Sequence, residues 1–260
     1  MSVLVEHDGH VSRVTLNRPD KLNALNLALF EGLVEAGEQL QARPETRAVV
    51  LSGAGRSFCA GLDFPAFMAG GPAVQQKLIA DRTGPANLAQ RAAWIWRELD
   101  VPVIVAIVGH CFGGGMQIAM GGDVRIGHAD ASLSVMELRW GIIPDMAFTR
   151  TLMNTVRPDV LAELTYTAKR GSGAEGVALG LLTRLAEDPM AEAVALAQAI
   201  AARSPDAVRA AKRMMRDAPA LDTAGAFRLE TELQVPLLGS PNQMEAVMAN
   251  MQKRPPKFTS

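Results

Sequence analysis

The sequence predicts an α/β fold closed by helices, on three observations. Strand and helix patterns interleave through the first half of the 260 residues. The stretch Pro102 to Val108 is apolar at every position. Beyond about Phe148 only helical periodicity is found. A strand without polar alternation fits one covered on both faces, hence a sheet packed by helices.

Taken in order, Val3 to Glu6 and Val11 to Leu16 are short runs rich in β-branched residues, and Asp8-Gly9-His10 between them supplies hairpin turn chemistry. Asn17-Arg18-Pro19-Asp20 stops the second strand. Leu29, Leu33, Ala36 and Leu40 recur at helical spacing and predict a helix from about Leu25 to Ala42. Ala48 to Leu51 is a short strand, followed by a turn. Gly70, Gly71, Pro72, Gly84 and Pro85 punctuate residues 63 to 90, which read as loop and interrupted helix. Ala86 to Leu99 is helical, Gly109 to Gly115 is a glycine-rich loop, and Met116 to Met120 is a short helix. Val124 to Gly127 and Leu133 to Val135 are further strands. Ala191 to Ala202, Pro205 to Asp217, Gly225 to Leu238 and Gln243 to Met251 carry apolar faces between Gly or Pro stops. The final Lys253-Arg254-Pro255-Pro256-Lys257-Phe258 cannot continue a helix and is either a frayed tail or a docked arm.

Composition narrows the class. The chain is 48% hydrophobic and 20% charged, which excludes bulk disorder. A net charge of −1, without blocks of like sign, offers neither nucleic acid nor an anionic membrane an electrostatic footing. No run of about 18 apolar residues suggests a transmembrane helix. The N-terminus lacks a signal-peptide layout. Cys59 and Cys111 make no disulfide framework, so a cytoplasmic location is expected.

Four places break local rules without a packing reason. Gly113-Gly114-Gly115 follows a buried strand and precedes a helix, where glycines let a ligand approach backbone N–H groups; a tight turn against another backbone explains them as well. Ser57-Phe58-Cys59-Ala60-Gly61-Leu62-Asp63 is a second small-residue turn after a strand. No basic neighbour lowers the pKa of Cys59, so it and Cys111 read as small buried hydrophobes. Glu137 and Asp145 lie eight residues apart among apolar neighbours, a setting that favours the protonated carboxyl and suits acid–base work. Asp145 could instead cap a helix beginning near Met146, and Glu137 could pair with Arg139 or Arg150. His110 and His128 have no metal-ligand set around them and read as structural.

Leu16-Asn17-Arg18-Pro19, Asn23-Ala24-Leu25, the 57–63 segment, the glycine triplet, Glu137 and Leu181-Leu182-Thr183-Arg184 occur in that order. This set resembles the crotonase, or enoyl-CoA hydratase/isomerase, superfamily over nearly the whole chain. The resemblance implies a spiral of ββα units with a helical C-terminal region. It divides the chain into a core over 1–195, holding the CoA pocket and active site, and a trimerisation region over 196–260. It implies an acyl-CoA substrate, no separate cofactor or metal, and a homotrimer or a hexamer made of two trimers. Apolar Ala224, Phe227, Leu229 and Leu233 would supply the assembly face.

The resemblance also assigns roles. The backbone N–H groups of Leu62 and Gly114 match the pair that holds the thioester oxygen. Leu22, Ala24, Ala60 and Asp63 match positions lining the CoA pocket, and Phe64, Phe67, Met68 and Leu78 would wall the acyl chain. Glu137 matches the catalytic glutamate, whereas Gln117 replaces the hydratases' other glutamate and cannot exchange a proton. Asp145 falls where dienoyl-CoA isomerases carry an aspartate and where aryl-CoA dehalogenases carry their nucleophile. The dehalogenases, however, have tryptophan in place of Glu137, and the dienoyl isomerases have an acid in place of Gln117. Pro65 replaces a lysine that grips a CoA phosphate. Proton transfer on an enoyl-CoA, an isomerisation, using Glu137 and Asp145 is the expected activity, with hydration by one glutamate and a water held by Gln117 or Asp145 kept beside it; Gln117 is thus counted with the substrate-binding residues. A binding scaffold without turnover and dehalogenase-like chemistry at Asp145 are the alternatives.

Overall fold

In the computed structural model, which describes residues 1–80 and 82–259, β1 (Val3–Asp8) and β2 (Val11–Leu16) form the expected antiparallel hairpin. Gly9, at φ 55°, supplies the left-handed residue that its two-residue turn needs. The Asn26 side chain accepts the Leu29 N–H and starts α1 (Leu27–Gln41), whose Leu29, Leu33, Ala36 and Leu40 are buried. β3 (Ala48–Gly53) follows. The punctuated stretch is an interrupted helix, α2 (Phe64–Gln75), broken at Gly71 before Pro72 and continued by a π-helical turn at Gln76–Ala80. The small hairpin β4 (Arg82–Thr83) and β5 (Ala86–Asn87) then leads to α3 (Leu88–Glu98); residue 81 lies outside the described residues.

β6 (Val103–Ile107), β7 (His110–Phe112), α4 (Gly114–Ala119), β8 (Val124–Gly127) and β9 (Ser132–Ser134) form the middle of the chain. The remainder holds α5 (Pro158–Thr167), β10 (Gly171–Ser172), α6 (Gly173–Ala178), β11 (Arg184–Leu185), α7 (Pro189–Ala201), α8 (Pro205–Asp217), α9 (Thr223–Gln234) and α10 (Pro241–Met251). Three expectations need correction here. The glycine-rich loop contains strand β7, and the last part of the chain is not purely helical because β10 and β11 interrupt it. No helix begins near Met146; the 142–146 segment is irregular.

The main sheet runs β1-β2-β3-β6-β8-β11, and every pairing after the hairpin is parallel. Its pleat sends alternate residues to two cores. Val49, Leu51, Val103, Val105 and Ile107 join the larger core with α1 and α3. Ala48, Val50, Ile104 and Ala106 join the smaller one, where α7 lays Ala193, Ala197 and Ala201 on the sheet. Two-sided burial is therefore the reason β6 carries no polar residue. The expected division at residue 195 falls inside α7, which packs with the core.

A second sheet, β10-β9-β7, begins where the chain leaves β6. Gly109, at φ 56°, makes that exit, and a Cβ there would lie 2.0 Å from the Arg56 carbonyl oxygen. On α9, Phe227 is 63% exposed, whereas Leu229 is buried. The tail is a docked arm: the Asn242 side chain exchanges hydrogen bonds with Thr259, and Arg47 donates to the Phe258 carbonyl.

The turn after β2 is built on one buried side chain. Leu22 and Asn23 both take left-handed backbones, at φ 50° and 55°. The Asn23 amide accepts the Arg18 N–H at 2.8 Å and donates to the Ala54 and Ser57 carbonyls at 2.9 and 2.8 Å. Asn23→Ala leaves those three groups without their partner and places alanine in a left-handed conformation. It should lower unfolding stability by about 3 kcal/mol. Urea denaturation with an unchanged midpoint would contradict the bracing role of Asn23.

Candidate active site

Two loops are joined by backbone pairing before any side chain acts. The Leu25 N–H donates to the Gly61 carbonyl at 2.7 Å, and the Asp63 N–H donates to the Leu25 carbonyl at 2.9 Å. The Arg18 guanidinium reaches across to Asp63 at 3.0 Å and to the Ala24 carbonyl. Asp63 also caps α2 through the Ala66 N–H at 3.1 Å. Burial alone would raise the Asp63 pKa, but the Ala66 N–H and Arg18 hold it below the usual aspartate range.

The 59–62 segment is fastened to the glycine triplet in the same manner. Cys59 donates its N–H to the His110 carbonyl at 2.9 Å, and the Phe112 N–H returns to the Cys59 carbonyl at 3.0 Å. Both cysteines are fully buried and free, and burial raises the Cys59 thiol to about 12, as expected of packing residues. Each glycine of the triplet has its own reason. Gly113 holds φ 51° and ψ −120°, a Cβ on Gly114 would require the ends of the Leu25 and Met146 side chains to shift, and a Cβ on Gly115 would sit 2.7 Å from both Cβ and O of Cys59.

A cavity of about 590 Å³ opens between these loops. Ala60, Gly61, Leu62, Gly113 and Gly114 line one wall; Phe30, Phe64, Phe67, Leu78 and Phe112 make it apolar. Among the described residues neither the Leu62 nor the Gly114 N–H donates to a protein acceptor. Phe64 packs on Trp140 with ring centroids 4.6 Å apart, and Trp140, Ile142 and Ile143 form an exposed rim.

Glu137, Asp145 and Gln117 share this cavity. Glu137 opens a 3-10 turn, Glu137–Trp140, and is 6% exposed. Its Oε1 accepts from the Gln117 amide nitrogen at 2.6 Å, and its Oε2 is buried without a partner. Neither Arg139 nor Arg150 pairs with it. Burial raises the Glu137 pKa, with Asp145 adding to the effect against the Glu137 and Met136 main-chain groups and the hydrogen bond from Gln117. Asp145 caps no helix. Its residue is open to solvent at the rim, yet enough protein surrounds the carboxyl for burial to raise its pKa.

The structure thus brings Glu137, Asp145, Gln117, Ala60, Leu62 and Gly114 to one cavity. Leu22, Ala24 and Asp63 are half-buried and do not line it, and Met68 points to solvent. Sequence reasoning missed Trp140 and the Met146 N–H, which donates to the Gln117 carbonyl oxygen at 2.8 Å; a backbone donor has no residue signature. His110 lies outside the cavity lining, stacked on Phe112, and burial with Arg170 and Arg56 nearby lowers its pKa.

The family model for enoyl-CoA hydratase/isomerase matches residues 6–260. Enoyl-CoA hydratase EchA19 of Mycobacterium tuberculosis is 31% identical over 98% of this chain and 95% of its own. The peroxisomal Delta(3,5)-Delta(2,4)-dienoyl-CoA isomerase of Arabidopsis thaliana is 30% identical over 96% of this chain and 93% of its own. The crystal structure of an enoyl-CoA hydratase from Bacillus anthracis has a TM-score of 0.92 at 28% identity and covers 99% of both chains.

Because Gly115 is excluded from carrying a side chain by Cys59, Gly115→Ala should cost about 1–3 kcal/mol of stability. Adding Cys59→Ala should not restore it, since the Cβ and carbonyl oxygen at 2.7 Å both remain. Thermal unfolding of the single and double variants tests this; full rescue would place the conflict on the Cys59 sulfur instead.

Proposed function

The chain belongs to the enoyl-CoA hydratase/isomerase family, and on that premise we propose that it shifts a double bond within an enoyl-CoA thioester by proton transfer at Glu137. The observation that carries this reading is the unpaired Glu137 Oε2 at the wall of an apolar cavity. Glu137 removes a proton from carbon at one end of the allylic system. The electron pair moves into the conjugated system and charge collects on the thioester oxygen. The N–H groups of Leu62 and Gly114 receive that oxygen; donors aimed at developing charge stabilise the enolate more than the carbonyl. A proton is then returned at the other end, by Glu137 or by Asp145.

We assign the CoA portion to the strip formed by Leu22, Ala24, Ala60 and Asp63, a reading supported by Ala60 at the cavity edge. Hydration by two glutamates is not available because residue 117 is glutamine. Gln117 already accepts from Met146 and donates to Glu137, which makes it a poor holder of water. Retention of a carboxylate at 137 likewise gives no support to dehalogenase-like chemistry or to a scaffold without turnover. A homotrimer, alone or paired as a hexamer, is supported by exposed Phe227, Val235, Leu238 and Met251. A cytoplasmic location is supported by two unpaired cysteines.

Glu137→Gln should reduce kcat on enoyl- or dienoyl-CoA by about 10²–10⁴-fold while calorimetry shows acyl-CoA binding nearly unchanged. Full activity in this variant would end the proposal. Asp145→Asn separates a two-carboxylate mechanism, which it impairs, from a single-base one, which it spares. In the unaltered enzyme the acidic limb of kcat should lie above the usual glutamate range, since Glu137 must be ionised to act as base and burial raises its pKa. Light scattering at micromolar concentration should give the mass of three or six chains; a mass near 27.7 kDa would contradict assembly.

A further inference from the structure

Gln117 is 1% exposed and sits on α4, two residues past the glycine triplet. The Met146 main chain at this contact can only donate, so the Gln117 oxygen must face it, at 2.8 Å. That fixes the amide orientation and leaves the Gln117 nitrogen to donate to Glu137 Oε1 at 2.6 Å. On the other side, a Cβ on Gly113 would lie only 3.3 Å from the same Oε1, so glycine at 113 leaves the carboxyl room beside the amide. The second oxygen, Oε2, has no partner.

We infer that Gln117 is the positioning residue that clamps Oε1 of Glu137 and thereby makes Oε2 the oxygen that exchanges a proton with substrate. The inference rests on the proton-transfer reading of Glu137 and adds which oxygen acts and what aims it. A carboxylate free to rotate would present either oxygen and lose the alignment that proton transfer to carbon requires. The clamp works in one direction because its far end is a main-chain N–H, which cannot reverse its role. Around the Glu137 carboxyl, Asp145 is the facing titratable group; Gln117 from α4 supplies the hydrogen bond, and the Met136 and Glu137 main-chain groups also favour the charged form.

Two substitutions test the clamp, each measured for kcat and KM across pH on an enoyl-CoA substrate, with folding checked by circular dichroism. Gln117→Met keeps length and removes both hydrogen bonds. It should lower kcat by roughly 10²-fold with little change in KM. It should also move the acidic limb to higher pH, because the carboxylate loses a donor that favours its charged form. Gln117→Glu keeps the acceptor for Met146 but sets two carboxyls in contact, which must share one proton. It should add an alkaline limb, absent from the unaltered enzyme, where that proton is lost and the clamp with it. If Gln117→Met does not fold, the Gln117→Glu profile alone decides. Unaltered kcat and limbs in either folded variant, with Glu137→Gln inactive, would overturn the clamp and leave the base assignment standing. Full activity in Glu137→Gln would instead remove the reading beneath it.

Discussion

The backbone pairing of Cys59 with the His110–Phe112 segment is the constraint on which the site depends. It joins the loop that follows β3 to strand β7, and Leu62 and Gly114, next along the two segments, line the cavity. Neither segment is positioned by its own sequence alone. The pairing sets their separation, and Gly61 and Gly115 keep the contact close: a Cβ on Gly61 would come within 3.0 Å of the Phe112 carbonyl oxygen, and one on Gly115 within 2.7 Å of Cys59. Hydrogen-bonded main chain is stiffer than packed side chains, which is what preorganised donors need. The Arg18–Asp63 pair and the Leu25 bridge brace the outer loop against β2 in turn.

A carboxylate beside this apolar cavity is costly to ionise, and the surroundings only partly offset that cost. The Glu137 and Met136 main-chain groups and the Gln117 amide favour the charged form of Glu137; burial and Asp145 oppose it. The balance leaves the Glu137 carboxyl above the usual glutamate range. Asp145, at the rim, keeps contact with water. The two carboxyls therefore differ in environment although they share one cavity.

Much of this was legible in the residues, and the gaps have physical causes. The continuous apolar run of β6 announced two-sided burial, and the alternation of its side chains between two cores confirms why. Strands of two or three residues, such as β7, β10 and β11, are too short to show any periodicity. The glycine triplet signalled close approach, but three adjacent glycines look alike in sequence. Only packing reveals that Gly113 serves a backbone angle, Gly114 a gap beside Met146 and Gly115 a contact with Cys59. The eight-residue spacing of Glu137 and Asp145 left capping and surface pairing open, because spacing carries no information about where an irregular segment folds. Resemblance supplied Leu62 and Gly114 as a pair; the pairing of Cys59 with β7 accounts for both lining one cavity.

The near-complete burial of Glu137 has an isotopic consequence. A proton lifted from substrate onto a carboxyl that is 6% exposed is shielded from bulk water for as long as the cavity is occupied. Under the proposed chemistry, a deuteron taken and returned by Glu137 alone reappears in the product, even in ordinary water. Passage through Asp145, which is open to solvent, would wash the label out. The contrast in depth between two acidic side chains thus turns the fate of one hydrogen into a record of its route.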